Sequence, residues 1–441
     1  MNSPIGITLL GCGVVGGGVL RILDEQRELL RQRTGQAFEV RHVVVRDVAK
    51  HASLAPLYNV HADAARAIDD PAVSIVIELI GGTTTAGEWV ARALALGKPV
   101  VTANKSLLAA RGPELFALAR RHDAAIAFEA SCGGGIPIID ALQKGLIANR
   151  VDALVGIVNG TCNFILTQMT RQGWSYAHAL AEAQKAGFAE ADPTLDVTGR
   201  DAAQKLALLA SLAFNVNVRE SDIGVEGIDT LQAQDIAFAR DLGYVIKLLA
   251  IAQRKGLDRL SLRVHPTLVH CDDVLAEVSG SFNAISVWGH ALGHALFYGR
   301  GAGQMPTASA VVSDLVGVAL GSVPLAFGKL RMFPDSLAPA DVLPFEQLES
   351  RYYLRLSAQD VPGVLAEVTE ALGRNGISLS AVLQREAGER GAMVPVVITT
   401  HQAREGSIRA AVSEIDALRT IQPPTVCLRI LDAPVEFAPR P

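Results

Sequence analysis

The chain opens on a short apolar run, Ile5–Leu10, which breaks into the turn GCGVVGGGV. Residues 19–33 follow, with apolar and charged positions recurring at helical spacing. FEVRHVVVR is strand-like again, and further short apolar runs come at VSIVIELIGG, KPVVTAN and AAIAFEAS. Helical patterns lie between them at GEWVARALALG and GPELFALARRH. Strands alternating with helices across short turns predict a parallel sheet covered on both faces. Residues 1–140 are therefore expected to form a doubly wound α/β domain.

The pattern is more mixed from 141 to 328, an expected α+β domain. TLQAQDIAFARDLGYVIKLLAIAQRKG reads as one long helical region, LSLRVHPTLV as a strand, and YGRGAGQMPT as a glycine-rich turn before another apolar helix. Residues 329–350 hold three prolines in a polar, aperiodic run, the composition of a linker. Residues 351–435 then read strand, helix, strand, strand, helix, strand, a ferredoxin-like βαββαβ unit. The fold class is thus α/β at the N-terminus, α+β in the middle, and a small α/β sandwich at the C-terminus.

Composition narrows the partners. The chain has 441 residues, 49% hydrophobic and 19% charged, which suits about two to four packed domains and excludes a disordered chain. A net charge of −5 without a basic run argues against nucleic acid or an anionic membrane as partner. Five scattered cysteines make no disulfide framework and suit a reducing cytoplasm. The uncharged first twenty residues lack a basic leader and a cleavage site, so no targeting segment is expected.

Gly11, Gly13 and Gly16, with Val14 and Val15 between them, form G-x-G-x-x-G directly after a strand and at a helix start. Glycines there let the chain turn tightly and let a pyrophosphate reach the helix N-terminus, so a Rossmann dinucleotide site is expected. At the end of the second strand Arg46, with Lys50 nearby, leans the choice toward NADP. Asp47 keeps NAD as the alternative.

Residues 187–205, GFAEADPTLDVTGRDAAQK, steer four carboxylates and two cations into an apolar helix. Asp201 and Lys205 are four apart and share their face with Leu208, Leu209 and Leu212, while the other face is also apolar, as in a buried helix. A buried lysine beside a carboxylate can give a proton to a carbonyl oxygen as hydride arrives. An ordinary ion pair near a helix start is the competing reading.

The run from Ala183 to Lys205 resembles the signature of homoserine dehydrogenases. The glycine turn, VVTANK at 100–105, GIVNGTCNFIL at 156–166 and YGRGAGQMPTASAVVSDL at 298–315 match the same family in order. The resemblance spans about residues 5–328. DVPGVLAEV and NGISL are similar to ACT domains, and no kinase-like segment precedes the glycine turn, as in the monofunctional form. The resemblance implies reversible reduction of aspartate semialdehyde to homoserine, within threonine and methionine biosynthesis. Lys205 would be the general acid/base and Glu190, Asp196 and Asp201 would serve the substrate. Lys105 would contact the cofactor, with Gly187 and Gly303 near the nicotinamide. EASCGGGIPI resembles the family's monovalent-cation loop, implying a sodium ion held by the Glu129 carboxylate and the carbonyls of Cys132, Gly134 and Ile136. Threonine is the implied effector at the ACT unit, in a homodimer or homotetramer.

Four other readings compete. Cys132 suggests a thioester-forming dehydrogenase, but no nearby motif announces a histidine base. A glycine turn that merely joins strand to helix competes with the cation loop. His290 and His294 would share a helix face, yet no third metal ligand follows, so they are expected to be surface or packing residues. A non-catalytic Rossmann/ACT amino-acid sensor is the alternative from a different class.

Overall fold

A computed structural model describes residues 3–256, 259–384 and 392–432. The described residues divide into two compact units that are not contiguous in sequence: those within 3–154, 201–223 and 281–340 in one, and those within 155–200, 224–280 and 341–432 in the other.

In the first unit six strands, β1 (Ile5–Leu10), β2 (Phe38–Val44), β3 (Val60–His61), β4 (Ile75–Glu78), β5 (Val100–Thr102) and β6 (Ile126–Ala127), line up in the order β3-β2-β1-β4-β5-β6. Every neighbouring pair is parallel. The order reverses between β1 and β4, which opens a crevice at the carboxyl ends of the strands. Ile7, Leu9, Ile75 and Ile77 are buried on one face of this sheet. Val19, Leu20 and Leu23 of the first helix (Val14–Glu25) pack there, together with Ala308, Val311 and Leu315 of the helix Gln304–Ala319. The core of this parallel sheet is therefore completed by residues far down the chain. Contact between the two helices is close, since a Cβ on Gly18 would lie 2.9 Å from Ala308 Cβ and 3.0 Å from the Gln304 carbonyl oxygen.

The stretch 329–340 packs against this unit as well. Phe333 is buried in a ring cluster with Phe116 and Phe327, and Arg120 pairs with Asp335 at 2.6 Å while its guanidinium lies over Phe327.

In the second unit Tyr244–Lys255 and Arg259–His270 run antiparallel, and the run expected as one helix is split. Ala233–Asp241 is helical, and Gly243, at φ +81°, ends it before the strand Tyr244–Lys255 begins. That strand is buried along most of its length, and a continuous apolar run carries no period that tells a buried strand from a buried helix. The C-terminal strands Ile421–Ile430, Glu349–Gln359, Met393–Thr400 and Leu379–Gln384 lie side by side in that order, all antiparallel. Helices Val364–Arg374 and Glu405–Asp416 pack on them through Val368, Leu372, Ile408 and Ile415. The last strand also pairs in parallel with Arg259–His270, with Thr267 opposite Arg429 and Leu268 opposite Ile430. Asp341–Val342 joins the same strand at Arg259 and Leu260.

Candidate functional site

The glycine turn has the shape a pyrophosphate needs. Gly11, at φ +93°, lies so close to Leu79 that a Cβ would sit 2.7 Å from its carbonyl oxygen, and a Cβ on Gly16 would lie 2.4 Å from the Gly11 carbonyl. Around Gly13, the residue before the first helix, nothing lies within 4 Å of where a Cβ would be. Two glycines thus make the turn and the helix–strand contact, and the middle one leaves the helix N-terminus open to an anion. Val14 is exposed and Val15 half-buried. Beyond β2, Arg46 is exposed, and Asp47 accepts a hydrogen bond from the Lys50 amide (3.1 Å).

At the carboxyl edge of β4 and β5 a chain of buried polar groups shapes the next turn. Glu78 accepts from the amides of Ile80 (2.8 Å) and Gly81 (3.1 Å) and from the Thr102 hydroxyl (2.7 Å). Asn104 caps the helix Lys105–Arg121 by accepting from the Leu107 amide and donates to the Gly82 carbonyl (2.7 Å). Lys105 is therefore held at a defined helix start. Sequence reasoning missed Glu78 and Asn104; a carboxylate inside VIELIGG was the available signal.

Lys105 reaches Asp201. Its Nζ lies 3.1 Å from Asp201 Oδ1, while Lys205 Nζ lies 2.8 Å from Oδ2. The three side chains are 26%, 7% and 12% exposed for Lys105, Asp201 and Lys205. Asp201 and Lys205 sit one turn apart on the helix Arg200–Phe214, whose remaining faces are buried among leucines and alanines. Gly199, at φ +82°, breaks the chain direction just before it. The result is one carboxylate between two ammonium groups, with the Lys205 amine shielded from bulk water. Such a group can exchange a proton with an oxygen placed beside it.

Asp196 and Glu190 belong to the second unit. Asp196 Oδ1 accepts from Asn159 Nδ2 (2.7 Å), and Asn159 Oδ1 accepts in turn from the Cys162 amide at the start of the helix Gly160–Gln172. The Cys162 thiol lies 3.2 Å from the Asp196 carbonyl oxygen. Glu190 is exposed, and its carbonyl accepts from Gln184 Nε2 (3.1 Å). Gly187 turns at φ +75° in open space; Gly303, at φ +120°, precedes the helix Gln304–Ala319 in the first unit.

The Glu129 carboxylate is buried and accepts from the amides of Ile139 and Asp140, both at 2.8 Å. Burial pushes its pKa up to about 7 in spite of those donors. Asp314 accepts from the Glu129 amide (2.8 Å) and is raised well above the usual carboxylate range by burial and by Glu129 itself. Gly133 and Gly134 are both left-handed, and Gly134 lies tightly against the Gly301 backbone. A carboxylate with backbone carbonyl oxygens is the kind of donor set a hard monovalent cation takes. Of the carbonyls expected as ligands, that of Ile136 already accepts from the Ile138 amide (2.8 Å).

Cys132 is fully buried, and burial pushes its thiol up to about 11. A thiol nucleophile needs the opposite shift. His290 and His294 do not share a helix: His290 sits in the turn between the strands Phe282–Gly289 and Gly293–Arg300, where its Nδ1 accepts from the Arg150 amide (3.0 Å), and His294 stacks on Trp288. Their spacing of four was a hairpin spacing.

In the C-terminal unit the DVPG turn lines a cavity of about 170 Å³ with Gln359, Val368 and Gln384. Gly363, at φ +98°, precedes the helix Val364–Arg374, and Asp360 accepts from Gln384 (3.1 Å). Asn375 of NGIS is tied instead to Glu414 (3.0 Å) and to the Ala371 carbonyl.

Three family models match the chain: "Homoserine dehydrogenase, NAD binding domain" over residues 11–129, "Homoserine dehydrogenase" over 137–316, and "ACT domain" over 352–419. A homoserine dehydrogenase of Pseudomonas aeruginosa is 43% identical over 437 residues, covering 97% of this chain and 99% of that protein. One of Bacillus subtilis is 39% identical over 425 residues, covering 95% and 96%. The crystal structure of a homoserine dehydrogenase from Thiobacillus denitrificans superposes with a TM-score of 0.92 at 43% identity, covering 98% and 99%. A hyperthermophilic archaeal homoserine dehydrogenase mutant in complex with NADPH matches at 27% identity and a TM-score of 0.61, covering 72% of this chain and 98% of that one.

Proposed function

Since the chain belongs to the homoserine dehydrogenase family, an oxidoreductase family, we propose that it reduces L-aspartate 4-semialdehyde reversibly to L-homoserine, with NADPH as the preferred cofactor. The observation that carries the reading is the Lys105–Asp201–Lys205 cluster. The nicotinamide supplies the hydride when bound. Lys205 gives its proton to the aldehyde oxygen as negative charge develops there and takes it back from the hydroxyl in the reverse direction. Asp201 fixes both ammonium groups, and its lone pairs also serve the substrate. Glu190 and Asp196 attract the substrate's ammonium, and Asn159 holds Asp196 in place. A sodium ion on the Glu129 carboxylate and the carbonyls of Cys132, Gly134 and Ile136 would favour the ionised form of Glu129 and steady that loop. It takes no part in proton transfer.

Cofactor choice rests on Arg46. Only NADPH carries a 2′-phosphate for an exposed guanidinium at the end of β2. Arg46→Ala should raise the KM for NADPH by about tenfold or more, the size of a lost charge-assisted hydrogen bond, and leave the KM for NADH within about twofold. Equal effects in steady-state kinetics with the two cofactors would mean that Asp47 sets an NAD preference.

Feedback by threonine through the cavity at the DVPG turn completes the proposal and places the enzyme in the threonine and methionine branch of amino-acid biosynthesis. Gly363 brings the backbone close enough for amides and carbonyls to hold a zwitterion. Gly363→Asp adds a carboxylate there and should abolish threonine inhibition while kcat stays within about twofold, because the effector acts only through a difference in affinity between two states. Retained inhibition at the wild-type threonine concentration would move the effector site elsewhere. Exposed Leu296 and Tyr298 on the strand Gly293–Arg300 support a homodimer or homotetramer, and the free cysteines support a reducing compartment such as the cytoplasm.

A further inference from the structure

Arg429 is buried on the last strand of the ACT unit and is held by two carboxylates. Its Nε donates to Glu405 Oε2 (3.0 Å) and its Nη2 to Glu226 Oε1 (2.8 Å), with further contacts from Nη1 to Glu226 and from Nη2 to Glu405. Arg409 bridges the same pair, reaching Glu226 at 3.2 Å and Glu405 at 3.0 Å. Tyr352 donates to Glu405 (3.0 Å), and the Phe345 ring lies 5.0 Å from the Arg409 guanidinium and 5.4 Å from that of Arg429. Glu226 is the one member of this cluster that comes from outside residues 341–432, and nothing in the proposed chemistry uses it.

Its neighbours explain what it holds. The Glu226 amide donates to the Val264 carbonyl (2.8 Å), and the Ile228 amide donates to the Val197 carbonyl (2.8 Å). Gly227 lies so close to that segment that a Cβ would sit 2.3 Å from the Val197 oxygen and 2.7 Å from Thr198 Cα. Gly199 packs on the same turn less tightly, its Cβ position being 3.3 Å from the Glu226 carbonyl oxygen. The segment so gripped, residues 197–199, directly follows Asp196. A continuous run of short contacts therefore joins Arg429 and Glu405 to the backbone beside a substrate carboxylate, all within one compact unit.

We propose that Glu226 is a positioning residue: clasped by Arg429 and Arg409, it fixes the 226–228 turn against residues 197–199 and so sets where Asp196 meets the substrate. The inference rests on the substrate role proposed for Asp196. It makes homoserine affinity depend on an ion pair between Glu226 and two arginines of the ACT unit. Glu226 is part-exposed, and Arg429 keeps Glu405 when it is removed, so the variant is expected to fold.

The test is Glu226→Ala in the full chain, with Glu226→Gln beside it. The KM for homoserine should rise about threefold to thirtyfold, the range for residues that act through a packed network. The KM for the cofactor and kcat should each stay within about twofold, and Glu226→Gln should fall between Ala and wild type. In an Asp196→Asn background the Glu226 effect should vanish, since coupled residues are not additive. An unchanged homoserine KM with a lowered melting temperature would overturn the proposal, and so would full additivity with Asp196→Asn. Failure of the wild-type enzyme to oxidise homoserine at all would instead refute the functional reading.

Discussion

Lys205→Ala should lower kcat for homoserine oxidation by about 10²–10⁴-fold, the usual contribution of a positioned general acid or base. Cofactor binding, read by fluorescence titration of NADPH, should change by less than about threefold, because the turn formed by Gly11, Gly13 and Gly16 is built without Lys205. The KM for homoserine should move little beside kcat, as expected when an interaction is made chiefly in the transition state. Lys205 sits on a helix buried on most sides, so folding must be checked by circular dichroism. A folded variant that keeps more than a tenth of wild-type kcat would take the proton-transfer role away from Lys205. The nearest other ammonium on the same carboxylate is Lys105, and Lys105→Ala in the same assay would then be the decisive comparison.

The second large effect is expected at Asp201. Its carboxylate stands between two ammonium groups in a site almost closed to water, so Asp201→Asn removes the only negative member of the triad and leaves Lys105 and Lys205 to repel each other. Breaking a buried ion pair by deleting one partner typically costs about 3–5 kcal/mol. If that cost falls on the catalytic geometry, kcat/KM for homoserine drops by about 10²–10³-fold or more, with both kcat and KM affected. This separates Asp201 from Lys205, whose loss should appear in kcat alone. Removing Lys105 as well, in Asp201→Asn/Lys105→Ala, should recover part of the activity by relieving the repulsion. A kcat/KM within tenfold of wild type for Asp201→Asn would show that the carboxylate is a bystander.

Much of the site was legible in the sequence because its signals are local. The glycine turn follows a strand and opens a helix within a few residues, and Asp201 and Lys205 are one helical turn apart. What was not legible depends on contacts across the chain. The pairing of Lys105 with Asp201, the grip of Asn159 on Asp196, and the fit of Ala308 over Gly18 leave no mark on the local pattern. Apolar residues that are buried on every side also hide their periodicity, which is why the strand Tyr244–Lys255 reads as a continuation of the helix before it. At His290 and His294 a spacing of four admitted both a helix and a hairpin, and the glycine at 293, left-handed at φ +75°, belonged to the hairpin.

The parallel pairing of the last ACT strand with Arg259–His270 bears on how such enzymes can be recombined or desensitised. Composition draws a border near residue 350, but the hydrogen-bonded ladder crosses it, and the Leu431 amide still donates to the Leu268 carbonyl (2.8 Å) beyond the strand's end. Deleting everything after Leu348 would strip that neighbour from the Thr267–Leu268 end of a long, largely buried strand, whose remainder keeps Gly224–Val225 and Asp341–Val342, and would leave that end an unpaired apolar edge. The C-terminal unit is thus a lateral wall of the sheet rather than a detachable sensor. Loss of the proposed feedback is better sought by point substitution at the cavity beside the DVPG turn, and an exchange of C-terminal units between homologues would have to keep the Thr267–Leu268 pairing with the incoming strand.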